Sequence, residues 1–269
     1  MRLTYTVIDP TGNITLLVTT PVERALQRQV SAWLLRRMPQ VEQVGFLEPS
    51  EYAAARLQMM GGEFCGNGTM ALGAWLCRRD RLPLHQTRDL LLDVSGAPEA
   101  VNCSITKVRG CYLGTVSMPL PLAVEAVSLP LGGVQTPLPV VSFPGICHVI
   151  VPAGTLERQA ARQTLEAWAS RFPQEAVGLL LWEEERAFLT PLVYVKSTQS
   201  AVWEHCCGSG SAAVAAYLTE RSGAAKQLSV RQDGGALAVV TDLRDGKLSS
   251  LRITGTVTLG RQKKIDVIL

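Results

Sequence analysis

The stretch GGEFCGNGTM (residues 61–70) places one cysteine between two glycine-rich turns, directly before an apolar helical segment. A second stretch, EHCCGSGSAA (residues 204–213), repeats this pattern in the other half of the chain. Glycines allow close approach of a backbone to a ligand, and the N–H groups of a first helical turn stabilise an anion. Such a helix end lowers a cysteine pKa from about 8.5 toward about 3.5–7.5. The two stretches therefore predict two reactive thiols, Cys65 and Cys207, each at the N-terminus of a helix.

The two cysteine stretches belong to a longer internal repeat. Residues 12–49 and 145–184 each contain a glycine, a β-rich run, a helical stretch with a central tryptophan, Pro-Gln, and a strand that begins Val-Gly. Self-similarity of this length favours duplication of one α/β unit over one seamless domain. We therefore predict an α+β fold with two pseudo-symmetric domains, each a β-rich sheet wrapped around a central helix.

The repeat also predicts domain boundaries, with one cysteine stretch in each domain. The N-terminal domain covers residues 1–118 and the C-terminal domain covers residues 119–259. The proline-rich residues 118–145 are interpreted as the crossover between the domains. The last strand, residues 260–269, is expected to complete the first domain.

Local signals predict helices and strands. TPVE (residues 20–23) has the pattern of a capping box with proline at the first helical position, which predicts a helix over 21–38. The matching helix of the second half covers 155–172 and ends before Pro173. Four stretches have the alternation of half-buried strands: 90–96, 108–118, 237–243 and 248–259.

Composition argues against several classes of protein. The 269 residues are 47% hydrophobic, and the net charge of +3 is too small and too evenly spread for a nucleic-acid groove. The N-terminal residues lack the features of a signal peptide, and no apolar run reaches the roughly 18 residues of a membrane helix. The seven cysteines favour a reduced protein over a disulfide scaffold. We expect a cytoplasmic protein that binds neither nucleic acid nor membranes.

A symmetric pair of thiols suits the inversion of a stereocentre. One thiolate removes a proton from one face of a carbon, the other thiol delivers a proton to the opposite face, and the roles are then exchanged. The two helix termini can bind an α-carboxylate and stabilise the charge that develops when the α-proton leaves. This chemistry needs a small-molecule amino acid as the partner and, in principle, no cofactor.

The cysteine turns resemble those of a known family. CGNG (65–68) and CGSG (207–210) are similar to the two catalytic turns of diaminopimelate epimerase and its relatives, which are cofactor-independent amino-acid racemases. PTGNITLLV (10–18), EQVGFLE (42–48) and PGICHVIVP (144–152) resemble further segments of this family, in the family's order. The resemblance implies a diaminopimelate epimerase-like fold with the active site in the cleft between the domains. A homodimer is common for this fold, but no dimer interface is recognisable in the sequence.

The same resemblance implies roles for individual residues. Cys65 and Cys207 are the implied acid–base pair, without a metal. The α-ammonium needs an anionic or carbonyl acceptor; Glu204 and Glu63 are the candidates, and for each a capping or solvated glutamate is the alternative. His148 is implied to lie beside the site. The residues implied to contact the substrate are Asn13, Gln43, Gly66, Asn67, Gly208 and Ser209.

The departures from the family pattern bear on the substrate. Ile146 stands where diaminopimelate epimerases have an asparagine, and there is no arginine between Arg186 and Cys207. A site without a bidentate arginine holds a distal carboxylate poorly. MGGEFCGNGTM (60–70) resembles the branch that racemises histidine for staphylopine-type metallophores. We therefore predict histidine as the substrate, with diaminopimelate and diaminobutyrate as alternatives.

A thiol-based metal-binding or redox module is the alternative of a different class. Glu204, His205, Cys206 and Cys207 are plausible soft ligands, with Cys65 as a further one. Against this, the chain has no Cys-x-x-Cys pair, and adjacent cysteines chelate one ion poorly. The remaining cysteines are expected to fill the core, as cysteine commonly does: Cys77, Cys103, Cys111 and Cys147.

Overall fold

The computed structural model describes residues 1–196 and 199–268. The chain forms two compact units, one made of residues 1–117 and 254–269 and the other of residues 118–253. None of the helices in the described ranges has the length and apolar character needed to cross a membrane.

The first unit contains two helices and a sequence of short strands. Its elements up to residue 117 are β1 (Arg2–Pro10), β2 (Thr15–Val18), α1 (Arg24–Arg37), β3 (Gln43–Glu48), β4 (Arg56–Met59), α2 (Gly66–Arg79), β5 (Thr87–Val94), β6 (Val101–Val108) and β7 (Cys111–Ser117).

The second unit has the same kinds of elements in a similar order. They are β8 (Ala123–Leu131), β9 (Val134–Phe143), β10 (Ile146–Pro152), α3 (Arg158–Ala169), β11 (Ala176–Glu183), β12 (Phe188–Val195), β13 (Ser200–Trp203), α4 (Gly208–Ser222), β14 (Gln227–Gln232) and β15 (Gly235–Arg244). The last strand, β16 (Lys247–Asp266), begins in the second unit and ends in the first.

The sheet of the first unit closes around α2. The strands follow each other from β1 to β7, β7 neighbours β16, and β16 pairs with β1 in antiparallel register, with Arg2 opposite Asp266. Helix α2 packs against β1, β2 and β4–β7 and is buried over most of its length. A helix that is apolar on all sides must be enclosed in this way.

Small residues allow α2 to lie close to the sheet. A Cβ at Gly73 would come within 2.9 Å of the Cys103 sulfur and 3.0 Å of Ile105. Cys103 is fully buried there, and burial raises the pKa of its thiol. This thiol therefore fills the core, as predicted, and packs closely against α2 at Gly73.

The second unit repeats this plan. Its strand order runs β16-β15-β14-β12-β11-β10-β9-β8, and α4 packs against strands across that sheet. The repeated β–helix–β segment has the same pairing in each unit. Strands β2 and β3 are parallel, with Thr15 opposite Gln43, and β10 and β11 are parallel, with His148 opposite Gly178.

The predicted start of the first helix was wrong. Helix α1 begins at Arg24 rather than at residue 21, and no side chain caps it. The Thr20 hydroxyl, which a capping box would have used, instead accepts a hydrogen bond from the Thr4 backbone N–H at 2.8 Å. Pairing of the chain with β1 therefore outcompetes the local cap. The second predicted helix, 155–172, is shorter as well, because α3 covers Arg158–Ala169.

The proline-rich stretch 118–145 is not a bare crossover, because most of it forms the β8–β9 hairpin. Strand β9 pairs with β10 only from Val140 to Phe143, so Pro137 and Pro139 lie beyond that pairing. Two residues apart in a strand, they direct their missing donors to the same side. The sheet therefore tolerates these prolines near its edge.

Candidate active site

Each predicted thiol is the N-cap residue of a buried helix, which confirms the prediction that a cysteine begins each one. The Cys65 sulfur accepts a hydrogen bond from the Gly68 N–H at 3.2 Å, and the Cys207 sulfur accepts one from the Gly210 N–H at 3.3 Å. Both cysteines have extended backbone conformations, as N-cap residues usually do. Gly66 and Gly208 begin α2 and α4.

A hydroxyl side chain fixes the backbone of each cysteine. The Thr69 hydroxyl donates to the Cys65 carbonyl at 2.7 Å, and the Ser211 hydroxyl donates to the Cys207 carbonyl at 2.8 Å. Neither residue was predicted from the sequence to belong to the site. The sequence does contain a pattern that could have identified them, since a hydroxyl residue follows each cysteine by four positions in both halves of the repeat.

Gln43 holds the first thiol from the side of β3. Its Nε2 donates to Asn13 Oδ1 and to Thr15 Oγ1, each at 2.7 Å. These bonds fix the orientation of the amide, so that its Oε1 faces the Cys65 sulfur at 3.1 Å. Since a carbonyl oxygen can only accept, the thiol donates to it. Gln43 thus stabilises the protonated form of Cys65.

Asn13 connects this glutamine to the helix. Its Oδ1 also accepts from Asn67 Nδ2 at 3.2 Å, and its own Nδ2 donates to Glu42 Oε2 at 2.7 Å. Asn13, Gln43 and Asn67 are buried, whereas Cys65 is half-buried. Three of the residues implied by the resemblance therefore form one network with Cys65. Glu42 is a member that the sequence analysis missed.

His148 and Ser209 form a hydrogen-bonded chain to the second thiol. His148 Nε2 lies 3.0 Å from Ser209 Oγ, which lies 3.4 Å from the Cys207 sulfur. His148 is fully buried, and burial lowers its pKa to about 3, so the imidazole is neutral. Its Nδ1 has no partner among the described residues.

The unpartnered nitrogen defines the direction of this chain. An unsatisfied buried N–H is rarer than an unsatisfied buried acceptor, so the imidazole proton belongs on Nε2 of His148. Nε2–H then donates to Ser209, and the Ser209 hydroxyl donates to the sulfur of Cys207. This order stabilises the thiolate form of Cys207.

The expected low pKa was wrong for Cys207. Burial raises the pKa of this thiol well above its usual range, and the charge of Glu204 and a hydrogen bond to it raise the pKa further. The bonds from Ser209 and from the Gly210 N–H lower it, but to a smaller extent. The helix terminus is present, yet loss of hydration dominates because the thiol packs against Ala176 and Val193.

The two candidate glutamates occupy different environments. Glu204 is half-buried and acts directly on Cys207. Glu63 is exposed as a residue, but its carboxyl group lies against protein, where loss of hydration raises its pKa and the backbone N–H groups of Gly61 and Glu63 donate to it. Its main-chain carbonyl accepts from the Ser95 hydroxyl at 2.9 Å. Of the two glutamates, Glu204 is therefore the one tied to a thiol.

The metal-binding alternative lacks a ligand set in the described ranges. Residues 1–196 and 199–268 contain no group of three His, Cys, Asp or Glu side chains placed to hold one metal ion. Cys206 is buried and accepts a hydrogen bond from Gln232 Nε2 at 3.4 Å. Gln232 is another residue that the sequence analysis missed, since it lies 25 residues beyond Cys207 with no motif around it.

Comparison with known proteins places the chain in a family. Residues 2–265 match the family model described as "Histidine racemase CntK N-terminal domain". The histidine racemase of Staphylococcus aureus is 28% identical over 243 residues, which cover 87% of this chain and 86% of that protein.

Two solved structures show the fold. A probable proline racemase from Agrobacterium radiobacter, solved with bound carbonate, superposes with a TM-score of 0.72 at 16% identity and covers 99% of this chain and 93% of its own. A phenazine biosynthesis PhzF-family protein from Enterococcus faecalis gives a TM-score of 0.62 at 14% identity, with 99% of this chain and 100% of its own covered. The chain thus has the sheet-rich α+β fold of the proline racemase and PhzF type.

Proposed function

Because the chain belongs to the histidine racemase family whose N-terminal domain model it matches over residues 2–265, we propose that it racemises free histidine, with Cys65 and Cys207 as the two proton-transferring groups. The chain is an isomerase that acts on an amino acid. The observation that carries the residue assignment is the duplicated N-cap thiol, one at the head of each buried helix.

In the proposed mechanism one cysteine removes a proton from the α-carbon of the substrate, and the other cysteine delivers a different proton to its opposite face. The thiolate of one cysteine removes the α-proton, which leaves a carbanion conjugated with the carboxylate. The thiol of the other cysteine then delivers its proton to the opposite face. After one turnover the first sulfur holds the proton and the second is the thiolate, so the reverse reaction uses the same groups in exchanged roles.

The first turns of α2 and α4 bind the substrate carboxylate in this proposal. The backbone amides of Gly66, Asn67, Gly208 and Ser209 belong to these turns. Helix N-termini attract anions, and the attraction grows as negative charge moves onto the carboxylate during α-proton removal. This stabilisation of the transition state replaces the electron sink that a cofactor would supply.

Glu204 connects substrate binding to activation of Cys207. The glutamate charge raises the pKa of the thiol as long as no cation neutralises it. A substrate ammonium beside Glu204 cancels that effect, because an opposite charge favours the ionised thiol. The thiolate therefore forms when substrate is bound, and the His148–Ser209 chain then donates to it.

Histidine fits the departures from the diaminopimelate epimerase pattern. The absence of arginine between Arg186 and Cys207 removes the group that would hold a distal carboxylate. The Staphylococcus aureus relative is named for histidine. A neutral imidazole needs no bidentate cationic partner.

We also make proposals for the domain architecture, the oligomeric state and the cellular compartment. We propose the domain boundaries 1–118 and 119–259, with residues 260–269 completing the first domain, and a diaminopimelate epimerase-like arrangement in which both thiols serve one cleft. A homodimer belongs to the same proposal and is tested by light scattering. Reduced thiols require a reducing compartment, which favours the cytoplasm. D-Histidine would then be available for metallophore synthesis.

The test is α-proton exchange by purified, reduced protein in D2O without added cofactor. L-Histidine should lose its Cα–H signal by NMR, and chiral chromatography should detect D-histidine. Cys65→Ser and Cys207→Ser should each reduce inversion strongly, since a serine hydroxyl is a far weaker base than a thiolate. Cys111→Ser serves as the matched control, because this half-buried cysteine lies outside the site.

Each outcome discriminates between the alternatives. Exchange with diaminopimelate or diaminobutyrate but not with histidine would keep the mechanism and overturn the substrate. A loss of activity in Cys111→Ser equal to that in Cys207→Ser would overturn the assignment of the pair. A folded, reduced protein that exchanges none of these amino acids would refute the racemase.

A further inference from the structure

We infer that Gln232 is a positioning residue for Cys207, which rests on the proposed function of that thiol. Gln232 is the last residue of β14 and is buried. Its side-chain Oε1 accepts a hydrogen bond from the Cys207 backbone N–H at 2.7 Å. It therefore holds the reactive residue at its main chain rather than at its thiol.

The amide nitrogen of Gln232 closes a ring of hydrogen bonds around the turn. Its Nε2 donates to the Ser211 hydroxyl at 2.9 Å, and that hydroxyl donates to the Cys207 carbonyl at 2.8 Å. The same Nε2 donates to the Cys206 sulfur at 3.4 Å. Both main-chain polar groups of Cys207 are thus fixed, one directly by Gln232 and the other through Ser211.

The ring acts on the thiol through the geometry of the first helical turn. The bonds that favour the thiolate come from the Gly210 N–H at 3.3 Å and from Ser209 Oγ at 3.4 Å. Both have ordinary lengths for bonds to sulfur, and both require the Cys207 side chain to face the first helical turn, so a rotation of the Cys207 backbone lengthens them. Gln232 therefore determines whether a thiol whose burial opposes ionisation can still form a thiolate.

A polar residue in the corresponding element of the first unit supports the inference. Ser95 follows β5, the strand after α2, as Gln232 ends β14, the strand after α4. Its hydroxyl donates to the Glu63 carbonyl at 2.9 Å and accepts from the Met59 N–H at 2.9 Å. In each unit, a polar side chain at the end of this strand thus holds the segment that carries the reactive cysteine.

The test compares Gln232→Met with Gln232→Glu. Methionine keeps the length of the side chain and removes both hydrogen-bonding groups, whereas glutamate keeps the acceptor for the Cys207 N–H and adds a negative charge. For Gln232→Met we expect kcat to fall on the order of 10²-fold with KM nearly unchanged, because the reacting group is misplaced.

The two variants should differ in their response to pH. In Gln232→Glu the added charge raises the pKa of Cys207, so activity should fall at neutral pH and recover at alkaline pH. Gln232→Met should recover only in part at alkaline pH, because its thiol stays misplaced after it ionises. Alkylation of Cys207 by iodoacetamide, followed by peptide mass spectrometry against pH, should shift to higher pH in both variants while Cys65 keeps its parental profile.

Gln227→Met is the matched control, since Gln227 is an exposed glutamine at the other end of β14. It should retain the kinetics and the alkylation profile of the parent. A folded Gln232→Met protein with the parental kcat and Cys207 alkylation profile would refute the inference. The alkylation result does not depend on the substrate, so it distinguishes failure of this inference from failure of the histidine assignment.

Discussion

The neutral, buried state of His148 should make the stability of the protein depend on pH in a defined interval. The imidazole has a pKa of about 3 in the folded protein, against 6.5 for an exposed histidine. Below pH 6.5, His148 therefore binds a proton in the unfolded chain, whereas in the folded chain it stays neutral down to about pH 3. Because the folded pKa is depressed, stability is complete above 6.5 and is lost progressively as the pH falls toward 3.

The size of this effect follows from the two pKa values. Each pKa unit corresponds to about 1.4 kcal/mol. The depressed pKa of His148 should therefore lower the free energy of unfolding by about 2 kcal/mol when the pH falls from about 7.5 to about 5. No correction for solvent screening is needed, because the side chain is fully buried. A protein of ordinary stability, about 5–15 kcal/mol, would show this loss clearly.

Urea unfolding of the parent and of His148→Asn at these two pH values measures the effect. The variant is expected to be less stable at both pH values, but its loss on acidification should be about 2 kcal/mol smaller than that of the parent. His85→Asn is the control, since His85 is exposed and asparagine tolerates its left-handed backbone, φ 62°. Equal losses in the parent and in His148→Asn would show that the histidine is charged or hydrated in the folded protein, and the argument for its tautomer would fail.

Three further substitutions test the same structure. Ser209→Ala removes the donor to Cys207 and should shift its alkylation to higher pH, whereas an unchanged profile would contradict the hydrogen-bonded chain. Gly178→Ala would place a Cβ 2.1 Å from Nδ1 of His148, and thermal unfolding should show a loss of at least about 1–3 kcal/mol. Thr20→Val should lower the urea-unfolding free energy by about 1–3 kcal/mol, because a backbone N–H of β1 loses its acceptor. The helical circular dichroism of this variant should be unchanged. A loss of helical signal would indicate instead that Thr20 caps α1.

The sequence predicted those parts of the fold that depend on repeated local patterns. The two cysteine-capped helices and the two β–helix–β segments follow from glycine, apolar and tryptophan positions that recur in both halves, whereas the parallel pairing of their strands was not predicted. The start of α1 was mispredicted because Thr20 bonds to β1, a partner that no local rule contains. The β8–β9 hairpin was missed because proline argues against a strand until the register shows which N–H groups are needed.

In the candidate site too, local patterns predicted the residues that lie near a motif and missed those that reach the site from elsewhere in the chain. Gln43 and Asn13 lie next to recognisable motifs, and the structure places both in the network around Cys65. Gln232 approaches Cys207 from a strand 25 residues further along the chain, and its own neighbours have no pattern that marks it. The pKa of Cys207 was mispredicted because the helix terminus is visible in the sequence, whereas burial of the thiol is a property of the packed unit.

The two thiols are equivalent in sequence but not in environment, and this asymmetry has a kinetic consequence. The Cys65 thiol donates to a fixed amide oxygen of Gln43, which favours its protonated form, whereas the Ser209 hydroxyl donates to the sulfur of Cys207. The two enantiomers of a free amino acid have equal free energies in solution, so kcat/KM must be equal in the two directions. Unequal thiols can therefore alter kcat and KM only in compensating ways. The asymmetry should appear in the separate pH profiles of kcat for L- and D-histidine, since in the proposed mechanism each direction begins with a different cysteine as the base. Coincident profiles would mean that bound substrate equalises the two environments, with the ammonium beside Glu204 as the group that does so.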